Sequence, residues 1–334
     1  MQGMVLHKPD DISRNPLIME VVPDPPAKPK PGMILLKVNC CGICHTDLHI
    51  IEGELPPKKS PVIPGHQIVA TVQKAGSETT RFAEGDRVGV PWLYSSCGEC
   101  RYCKSGRVNL CEKATFTGYH VDGGFAKWVV APEEFSYPIP GTIDDEHAAP
   151  LLCAGIIGYR SLRLSEIKPG GRLGLFGFGA SAHIAIQVAV HWGCRVYVFT
   201  RSEEHRSLAM ELGAVWAGDA RQKSPEPLDS AITFAPAGWI VHCALDSLDK
   251  GGTLAVNAIH MSPIPETPYE KIYHERTIRS VANLTRQDGE EFLRIAGEIP
   301  VKTEVEVFPL EEANQALQKL KESKIRGAGV LKVG

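Results

Sequence analysis

The chain has 334 residues, of which 43% are hydrophobic and 22% charged, and its formal net charge at pH 7 is −3. These values are typical of globular proteins and exclude the collagen-like, coiled-coil and disordered classes. The small negative charge favours neither nucleic acid nor an anionic membrane as partner, and no apolar run approaches the ~20 residues that span a bilayer. The first ten residues lack the charged-then-apolar order of a secretory signal, so we expect a cytoplasmic protein.

The first part of the chain carries short β-type runs separated by glycine and proline. Residues 20–32 are rich in proline, which lacks a backbone donor, so we expect an irregular connector there. Three runs are predicted strands, over residues 33–38, 68–72 and 87–90. Up to about residue 150 the pattern indicates a compact β-rich domain with many turns.

The pattern changes after Cys153. Predicted strands and helices then alternate, over residues 173–176, 181–192, 195–199 and 203–212. This alternation predicts a parallel sheet with helices on both faces. A late amphipathic helix over 311–323 and a strand over 330–333 complete the predicted elements.

Four of the ten cysteines lie close together with the spacing Cys-x2-Cys-x2-Cys-x7-Cys, and we call them the four-cysteine lobe: Cys97, Cys100, Cys103 and Cys111. Two-residue gaps suit thiolates that converge on one ion better than disulfide pairs. Four thiolates saturate a tetrahedral zinc and leave no open position, so the lobe predicts a structural zinc. The alternatives are an iron–sulfur cluster, two disulfides, or four unrelated cysteines.

Three other segments are weak indications when taken singly: Cys41-Gly42-Ile43-Cys44-His45-Thr46-Asp47-Leu48-His49, Pro64-Gly65-His66-Gln67 and Leu151-Leu152-Cys153-Ala154-Gly155. A single buried cysteine is more often a core residue than a ligand. Together with the four-cysteine lobe, however, these segments resemble the zinc-dependent medium-chain alcohol dehydrogenases. The matching stretches run from near residue 33 to the end of the chain.

The resemblance implies that Cys44, His66 and Cys153 bind a catalytic zinc, with one coordination position left open for substrate. The chain would then hold two zinc ions. The resemblance further implies reversible hydride transfer between a small primary or secondary alcohol and NAD(P), via a zinc-bound alkoxide, because zinc lowers the pKa of the alcohol as a Lewis acid. An NADPH-dependent zinc aldehyde reductase is the enzymatic alternative. A non-catalytic, nucleotide-binding redox sensor is the alternative from another class.

The resemblance also implies roles for residues around the first ligand. Thr46 would place its hydroxyl against the substrate oxygen, and His49 would be the outer base of a proton relay. Asp47 would orient the imidazole of His66, so a hydrogen bond between these two side chains is predicted. His45 would lie near the cofactor phosphates.

Two further positions bear on the substrate and on the metal. Trp92 matches a position that lines the family's substrate pocket, where its bulk would favour small alcohols, although it could equally be a core residue. Gln67 stands where the family usually has glutamate. The site is therefore one unit less negative, and we expect altered ligand exchange and pH dependence with an unchanged reaction type.

A glycine-rich stretch, Gly174-Leu175-Phe176-Gly177-Phe178-Gly179-Ala180-Ser181-Ala182, follows a predicted strand and opens a predicted helix. It fits the dinucleotide-binding fingerprint. Gly177 permits a tight turn, Gly179 lets the backbone approach the pyrophosphate closely, and the small Ala182 permits close packing of the helix against the strand. The helix that begins near Ala180 offers N–H donors to the phosphates.

The choice between the two nicotinamide cofactors depends on the end of the next predicted strand. NAD-preferring sites carry an acid there to bind the ribose 2′-hydroxyl. Here the strand is followed by Thr200-Arg201-Ser202 and has no acid at its end. Arg201 could pair with a 2′-phosphate, so we favour NADP. Alternatively, Arg201 stacks on adenine or points to solvent, and NAD is used.

The residues and the resemblance together predict an α/β fold with two domains. A β-rich, GroES-like catalytic domain is expected over residues 1–154 plus 283–334, and a Rossmann domain with a doubly wound parallel sheet over residues 155–282. By analogy with the family, a homodimer or homotetramer is expected. The expected ligands are a small alcohol or aldehyde, with no nucleic acid and no membrane partner.

Overall fold

The protein is described by a computed structural model that covers residues 1–258, 260–299 and 301–334. Its strands are β1 (Gln2–Leu6), β2 (Leu17–Val21), β3 (Met33–Ile43), β4 (Gln67–Ala75), β5 (Arg87–Val90), β6 (Leu93–Ser95), β7 (Thr115–Phe116), β8 (Trp128–Pro132), β9 (Tyr137–Pro138), β10 (Arg172–Phe176), β11 (Arg195–Phe199), β12 (Trp216–Gly218), β13 (Leu228–Thr233), β14 (Leu248–Val256), β15 (Thr277–Ser280), β16 (Val305–Pro309) and β17 (Ala328–Lys332). Its helices are α1 (His45–Ile51), α2 (Arg101–Lys104), α3 (Asp145–Ala148), α4 (Ala154–Leu164), α5 (Ala180–His191), α6 (Glu203–Glu211), α7 (Trp239–Ser247), α8 (Arg286–Glu298) and α9 (Ala313–Lys321).

The described residues separate into two units. The first unit consists of Met1–Cys153 and Leu284–Gly334, and the second of Ala154–Asn283. None of the described helices is long and apolar enough to cross a membrane.

A seven-stranded sheet dominates the first unit, with the order β16-β17-β3-β4-β5-β9 and with β8 paired to β3. The long strand β3 is central, because it pairs antiparallel with β4, β8 and β17. Ile34, Leu36 and Val38, at alternate positions of β3, are completely buried, as expected for a strand with one face in the core. This strand ends at Ile43, one residue before Cys44.

The second unit is built on a six-stranded parallel sheet with the order β12-β11-β10-β13-β14-β15. Counted from β10, the strands follow the order 3-2-1-4-5-6, which is the doubly wound order of dinucleotide-binding domains. The order reverses between β10 and β13, which pair directly. Ligands of such sheets bind beyond the carboxyl ends of the strands at this switch point, and Gly177 immediately follows β10.

The predicted α/β fold class is confirmed, and single elements differ in their bounds. The strand expected over 33–38 continues to Ile43, because β4 and β17 pair with its second half. The helix expected over 311–323 begins only at Ala313, after a 3-10 turn over Leu310–Glu312. Among the expected strands and helices of the second unit, β11 has the predicted bounds and α5 starts one residue earlier than predicted.

Candidate metal and nucleotide sites

The three expected catalytic zinc ligands, which we call the ligand trio (Cys44, His66 and Cys153), lie together in the first unit. The Sγ of Cys44 is 3.3 Å from the Nε2 of His66, and one ligand atom from each residue of the trio lies within 4.8 Å of the others. Sulfur and nitrogen ligands of a tetrahedral zinc, at about 2.3 and 2.0 Å from the ion, are about 3.5 Å apart. The trio therefore has the spacing of a three-ligand zinc site.

Each member of the trio comes from a different structural element. Cys44 follows β3 and is the N-cap of α1, where its Sγ accepts a hydrogen bond from the backbone N of Thr46 at 3.3 Å. His66 immediately precedes β4. Cys153 follows the 3-10 turn Ala149–Leu152. Separate strands and turns thus bring the three ligand atoms to one point.

The protonation of Cys44 and His66 depends on burial and on neighbouring groups. The hydrogen bond with Cys153, together with burial, raises the pKa of Cys44 well above its ordinary value. Burial lowers the pKa of His66, but the charges of Asp47 and Cys44 and their hydrogen bonds outweigh burial, and the pKa is raised well above its ordinary value. Thiolate ligands need a nearby cation to be stable when buried. The chemistry of this donor set therefore fits a zinc ion.

Asp47 contacts the trio through both carboxylate oxygens. Its Oδ1 is 3.1 Å from the Nδ1 of His66, so the predicted contact is present. Its Oδ2 accepts a hydrogen bond from the backbone N of Cys44 at 2.9 Å and completes a capping box at the start of α1. Asp47 is completely buried and His66 is 1% exposed. The pair therefore holds the imidazole in one orientation away from solvent.

Gln67, the first residue of β4, directly follows His66 of the trio in the chain and is buried. It pairs with Gly42 of β3. A Cβ atom placed on Gly42 would be 2.9 Å from the Oε1 of Gln67, so the glycine makes room for the carboxamide. The Nε2 of Gln67 has no hydrogen-bond partner within the described residues.

The expected relay residues lie on α1. Thr46 is buried in its first turn, and His49 follows one turn later, so that the two side chains share a helix face. The Nδ1 of His49 is 2.5 Å from the Oε2 of Glu54, a contact that the sequence reasoning did not anticipate. His45 is exposed at the start of the helix.

Trp92 lies against the ligand trio. Its ring centroid is 5.0 Å from that of His66 in an edge-on arrangement, and 5.0 Å from that of Phe116 in a stacked one. Tyr119 stacks on the same indole at 5.7 Å. Phe116 and Tyr119 were not predicted from the sequence, because no motif marks them and only the tertiary fold brings them to Trp92.

The four-cysteine lobe forms a second, separate cluster. Its Sγ atoms are 3.9 Å apart for Cys97 and Cys103, 3.5 Å for Cys100 and Cys103, and 3.5 Å for Cys97 and Cys111. Sulfurs bound to one tetrahedral zinc at about 2.3 Å are about 3.8 Å apart, whereas disulfide sulfurs are about 2.05 Å apart. All ten cysteines are described and are free thiols. The disulfide alternative is thus excluded, and the distances fit one metal ion.

Two thiols of the lobe, Cys97 and Cys103, have lowered pKa values, whereas burial raises the pKa of Cys111 to about 11. Hydrogen bonds from the backbone N–H groups of Cys100 and Glu99 lower the pKa of Cys97 to about 6. Metal binding requires thiolates, so a lowered pKa favours binding near neutral pH.

The glycine-rich turn of the second unit joins β10 to α5. Gly177 has φ +93°, and a Cβ atom there would be 2.9 Å from the backbone N of Ala235, so only glycine fits. Gly179 is the N-cap of α5, and a Cβ atom there would meet nothing within 4 Å. No side chain caps this helix, so its first N–H groups remain available to an anion. Ala182 is completely buried in the first turns of α5. The turn and the open space beside it fit a pyrophosphate.

The end of β11 carries the residues expected at the adenosine ribose. Thr200 is 7% exposed, and Arg201 is exposed. Arg206 of α6 donates hydrogen bonds to the backbone carbonyls of Thr200, at 3.1 Å, and Arg201, at 3.3 Å. In the described part of the chain, the Arg201 guanidinium makes no ion pair. Arg206, which the sequence reasoning did not consider, therefore fixes the turn that presents Arg201.

Comparisons with known proteins show the family of the chain. The family model of the alcohol dehydrogenase GroES-like domain matches residues 30–141, and that of the zinc-binding dehydrogenases matches residues 180–298. The chain is 44% identical to "Probable alcohol dehydrogenase AdhA" of Mycobacterium tuberculosis, over 99% of this chain and 97% of that protein. It is 36% identical to an alcohol dehydrogenase of Geobacillus stearothermophilus, over 90% of this chain and 92% of that protein.

Two solved structures show the same similarity. A cinnamyl alcohol dehydrogenase from Sorghum bicolor is 29% identical with a TM-score of 0.87, over 99% of this chain and 97% of that chain. The protein CAD from Helicobacter pylori, solved with NADP(H), is 25% identical with a TM-score of 0.86, over the same shares of the two chains. The chain therefore belongs to the zinc-dependent medium-chain alcohol dehydrogenase family, with a GroES-like and a Rossmann-type domain, and is an NAD(P)-dependent oxidoreductase.

Proposed function

We propose that the chain catalyses reversible hydride transfer between a small primary or secondary alcohol and NAD(P). A catalytic zinc would be bound by the ligand trio and a structural zinc by the four-cysteine lobe. The observation that carries this proposal is that the ligand atoms of Cys44, His66 and Cys153, from three separate elements, lie within 4.8 Å of one another. Two cysteines and one histidine leave a fourth position for substrate, which four thiolates do not. Zinc bound there supplies a Lewis acid that lowers the pKa of an alcohol.

The surrounding residues then hold the ligands and move the proton. Asp47 accepts a hydrogen bond from the Nδ1–H of His66, so that Nε2 would present its lone pair to the metal. Thr46 would accept a hydrogen bond from the alcohol hydroxyl and release its own hydroxyl proton into the relay as it receives that of the alcohol. His49, whose side chain is 22% exposed, would take up the relayed proton and release it to solvent. Glu54 holds the ring of His49 in place.

Trp92 forms an aromatic wall beside the ligand trio, because it contacts His66 and is backed by Phe116. A rigid indole at this place limits the size of the alcohol. We therefore propose small alcohols and their aldehydes or ketones as substrates.

The second unit binds the nicotinamide cofactor. Gly177, Gly179, Ala180 and Ala182 form the turn and helix start that hold the pyrophosphate, and His45 of α1 is proposed as a further phosphate contact. Thr200 and Arg201, at the end of β11, are proposed to contact the adenosine ribose. An exposed arginine and no acid at the end of β11 favour the 2′-phosphate of NADP. The same observation makes an NADPH-dependent aldehyde reductase the second candidate, which differs in direction rather than in chemistry.

The proposed domain bounds follow from the positions of these sites in the two units. Both proposed zinc sites fall in the first unit, so we propose residues 1–154 plus 283–334 as the catalytic domain. Residues 155–282, with the glycine-rich turn, are proposed as the nucleotide-binding domain. We also propose a homodimer or homotetramer, by analogy with the family. Free thiols throughout the chain are consistent with a cytoplasmic location.

The test follows the absorbance of reduced cofactor with zinc-retaining protein. The substrates are ethanol, a longer primary alcohol and benzyl alcohol, each with NAD⁺ and with NADP⁺. We expect turnover that is lost in Cys44→Ala and Cys153→Ala and kept in Cys243→Ala, which removes a thiol of α7 far from either cysteine cluster in sequence. Two bound zinc ions and bound nucleotide without turnover in either direction would instead support the non-catalytic redox sensor.

A further inference from the structure

The carboxamide of Gln67 is a polar group that the protein buries without a partner. The residue is 2% exposed, and its Nε2 makes no hydrogen bond within the part of the chain that the structure describes. Leaving a buried donor unpaired is unfavourable, and native proteins do so rarely. A donor retained in this position points to an acceptor that becomes available only when the site is loaded.

The strand pairing shows on which face the carboxamide lies. Gln67 of β4 is opposite Gly42 of β3, and a Cβ atom on Gly42 would be 3.0 Å from the Cδ of Gln67. The side chain therefore crosses over Gly42. Side chains two residues apart on a strand share a face, and the extended backbone of Cys44 (φ −147°, ψ 179°) continues this alternation. Gly42 and Cys44 thus present the same face as the carboxamide.

The chain segment that carries Cys153 covers this face. Cys40, which lies on the same face of β3, donates its S–H to the backbone carbonyl of Asp145 at 3.2 Å. Asp145 begins α3, and the 3-10 turn Ala149–Leu152 that follows packs on β3 and β4 before it reaches Cys153. The carboxamide of Gln67 therefore lies between the strand that ends at Cys44 and the segment that ends at Cys153.

The two sulfurs differ in the donors that they already have. The Sγ of Cys44 accepts a hydrogen bond from the backbone N of Thr46. The Sγ of Cys153 receives no N–H donor from any residue of the described ranges. We propose that Gln67 is a positioning residue that donates an N–H···S hydrogen bond from Nε2 to the thiolate of Cys153 when zinc is bound. This inference rests on the proposed assignment of the ligand trio.

A hydrogen bond of this kind explains why a neutral amide suits the position. A hydrogen bond from an N–H group to a negatively charged thiolate stabilises the thiolate and fixes the direction in which its sulfur faces the metal. A carboxylate, in contrast, has no proton to donate and adds negative charge beside two thiolates. The amide thus adds a donor to the ligand shell without changing its charge.

The test compares Gln67→Leu with Gln73→Leu, which makes the same change at an exposed position of the same strand. The affinity of the catalytic site is measured by competition with a chromophoric zinc chelator. Thermal midpoints are measured with two zinc ions per chain, and again with one, after a chelator titration in which the loss of turnover marks removal of the catalytic zinc. We expect Gln67→Leu to lose about tenfold in zinc affinity and Gln73→Leu to lose none.

The midpoints distinguish a metal-linked role from a merely structural one. With the catalytic zinc removed, Gln67→Leu should melt above wild type, because it no longer buries an unpaired donor. With zinc bound, this gain should disappear, because wild type then has its N–H···S bond. If Gln67→Leu does not fold, Gln67→Met makes the same comparison with an unbranched side chain.

The possible outcomes test the role of Gln67 and the proposed function separately. A wild-type protein that binds two zinc ions, together with a Gln67 variant of unchanged zinc affinity, overturns this inference and leaves the proposed function standing. Equal shifts of the thermal midpoint with and without the catalytic zinc also overturn it. A wild-type protein that binds only the zinc of the four-cysteine lobe contradicts the proposed function itself.

Discussion

The Oδ1 of Asp47 lies 3.1 Å from the Nδ1 of His66. The other carboxylate oxygen of Asp47 accepts the backbone N–H of Cys44 at 2.9 Å. One buried side chain thereby connects two proposed zinc ligands that lie on different elements. The contact places the metal site under the control of a residue that is not itself a proposed ligand.

Asp47→Asn tests this control. The amide keeps the size of the side chain but loses the charge that stabilises the imidazole N–H, so we expect a 10- to 100-fold loss of zinc affinity or activity. Zinc affinity by chelator competition, together with kcat/KM, is the measurement. Asp246→Asn, the same change at an exposed position of α7, is the control. Wild-type affinity and activity in Asp47→Asn would show that the contact is dispensable.

Gln67→Glu should move the pH dependence of the reaction. A buried carboxylate at this position adds a negative charge next to the ligand trio, and a nearby negative charge raises the pKa of an acid. The alcohol must lose its proton before hydride transfer, so the rise of kcat/KM with pH should move to higher pH. The pH–rate profiles of wild type and variant measure this shift. Superimposable profiles would refute the expectation.

Removing one thiol of the four-cysteine lobe should reduce the zinc content from two ions per chain to one. Cys103→Ser leaves three thiolates, and a structural site usually contributes directly to the free energy of folding. We therefore expect a lower thermal midpoint, with turnover retained by the molecules that remain folded. Zinc analysis and thermal unfolding measure both effects. Cys243→Ser, which should change neither the zinc content nor the midpoint, is the control.

The ion pair between Arg87 and Asp145 should stabilise the segment that leads to Cys153. The Nε of Arg87 is 2.5 Å from the Oδ1 of Asp145, and its Nη2 donates to the carbonyl of Ile143 at 2.6 Å. Both side chains are mostly buried, so Arg87→Ala leaves partly buried acceptors unpaired. We expect a loss of about 1–3 kcal/mol in the free energy of unfolding.

Denaturant unfolding measures this loss, and Arg294→Ala is its control. Arg294 forms an exposed i,i+4 pair with Glu298 on α8, and such pairs contribute about 0.5 kcal/mol or less. Equal effects of the two substitutions would contradict a special role of the Arg87 contact.

Arg201→Asp should change the choice of cofactor. An acid at the end of β11 repels a 2′-phosphate and can accept the ribose 2′-hydroxyl of NAD. We expect kcat/KM for NADP⁺ to fall at least about tenfold relative to that for NAD⁺. The reason is that each 1.4 kcal/mol of lost interaction between Arg201 and the 2′-phosphate corresponds to a tenfold change in affinity. Lys250→Asp, at an exposed cation of the same unit, should leave the ratio unchanged. An unchanged ratio in Arg201→Asp would favour the alternative in which Arg201 faces solvent.

Features that depend on neighbours in sequence could be predicted from the chain alone. The strand over Arg195–Phe199 and the glycine-rich turn follow from apolar runs and from glycine at Gly177, whose φ is positive. The four-cysteine lobe follows from the spacing of its thiols. In each case the local pattern is specific enough to fix the local structure.

Features that depend on tertiary contacts could not be predicted in this way. The convergence of the ligand trio was expected only from the resemblance to a family, since no local pattern relates Cys44 to Cys153. The contacts of His49 with Glu54 and of Trp92 with Phe116 were not expected. The first joins the end of α1 to the turn that follows it, and the second depends on the pairing of β6 with β7, which no motif marks.

Cys44, His66 and Cys153 are proposed to hold the zinc on which alcohol oxidation by this chain depends. The most direct test measures the zinc content per chain and the alcohol-dependent reduction of cofactor on the same preparation of Cys153→Ala. We expect one zinc ion per chain and no turnover in this variant, against two ions and turnover in wild type. A Cys153→Ala protein that retains two zinc ions and the wild-type rate would contradict it.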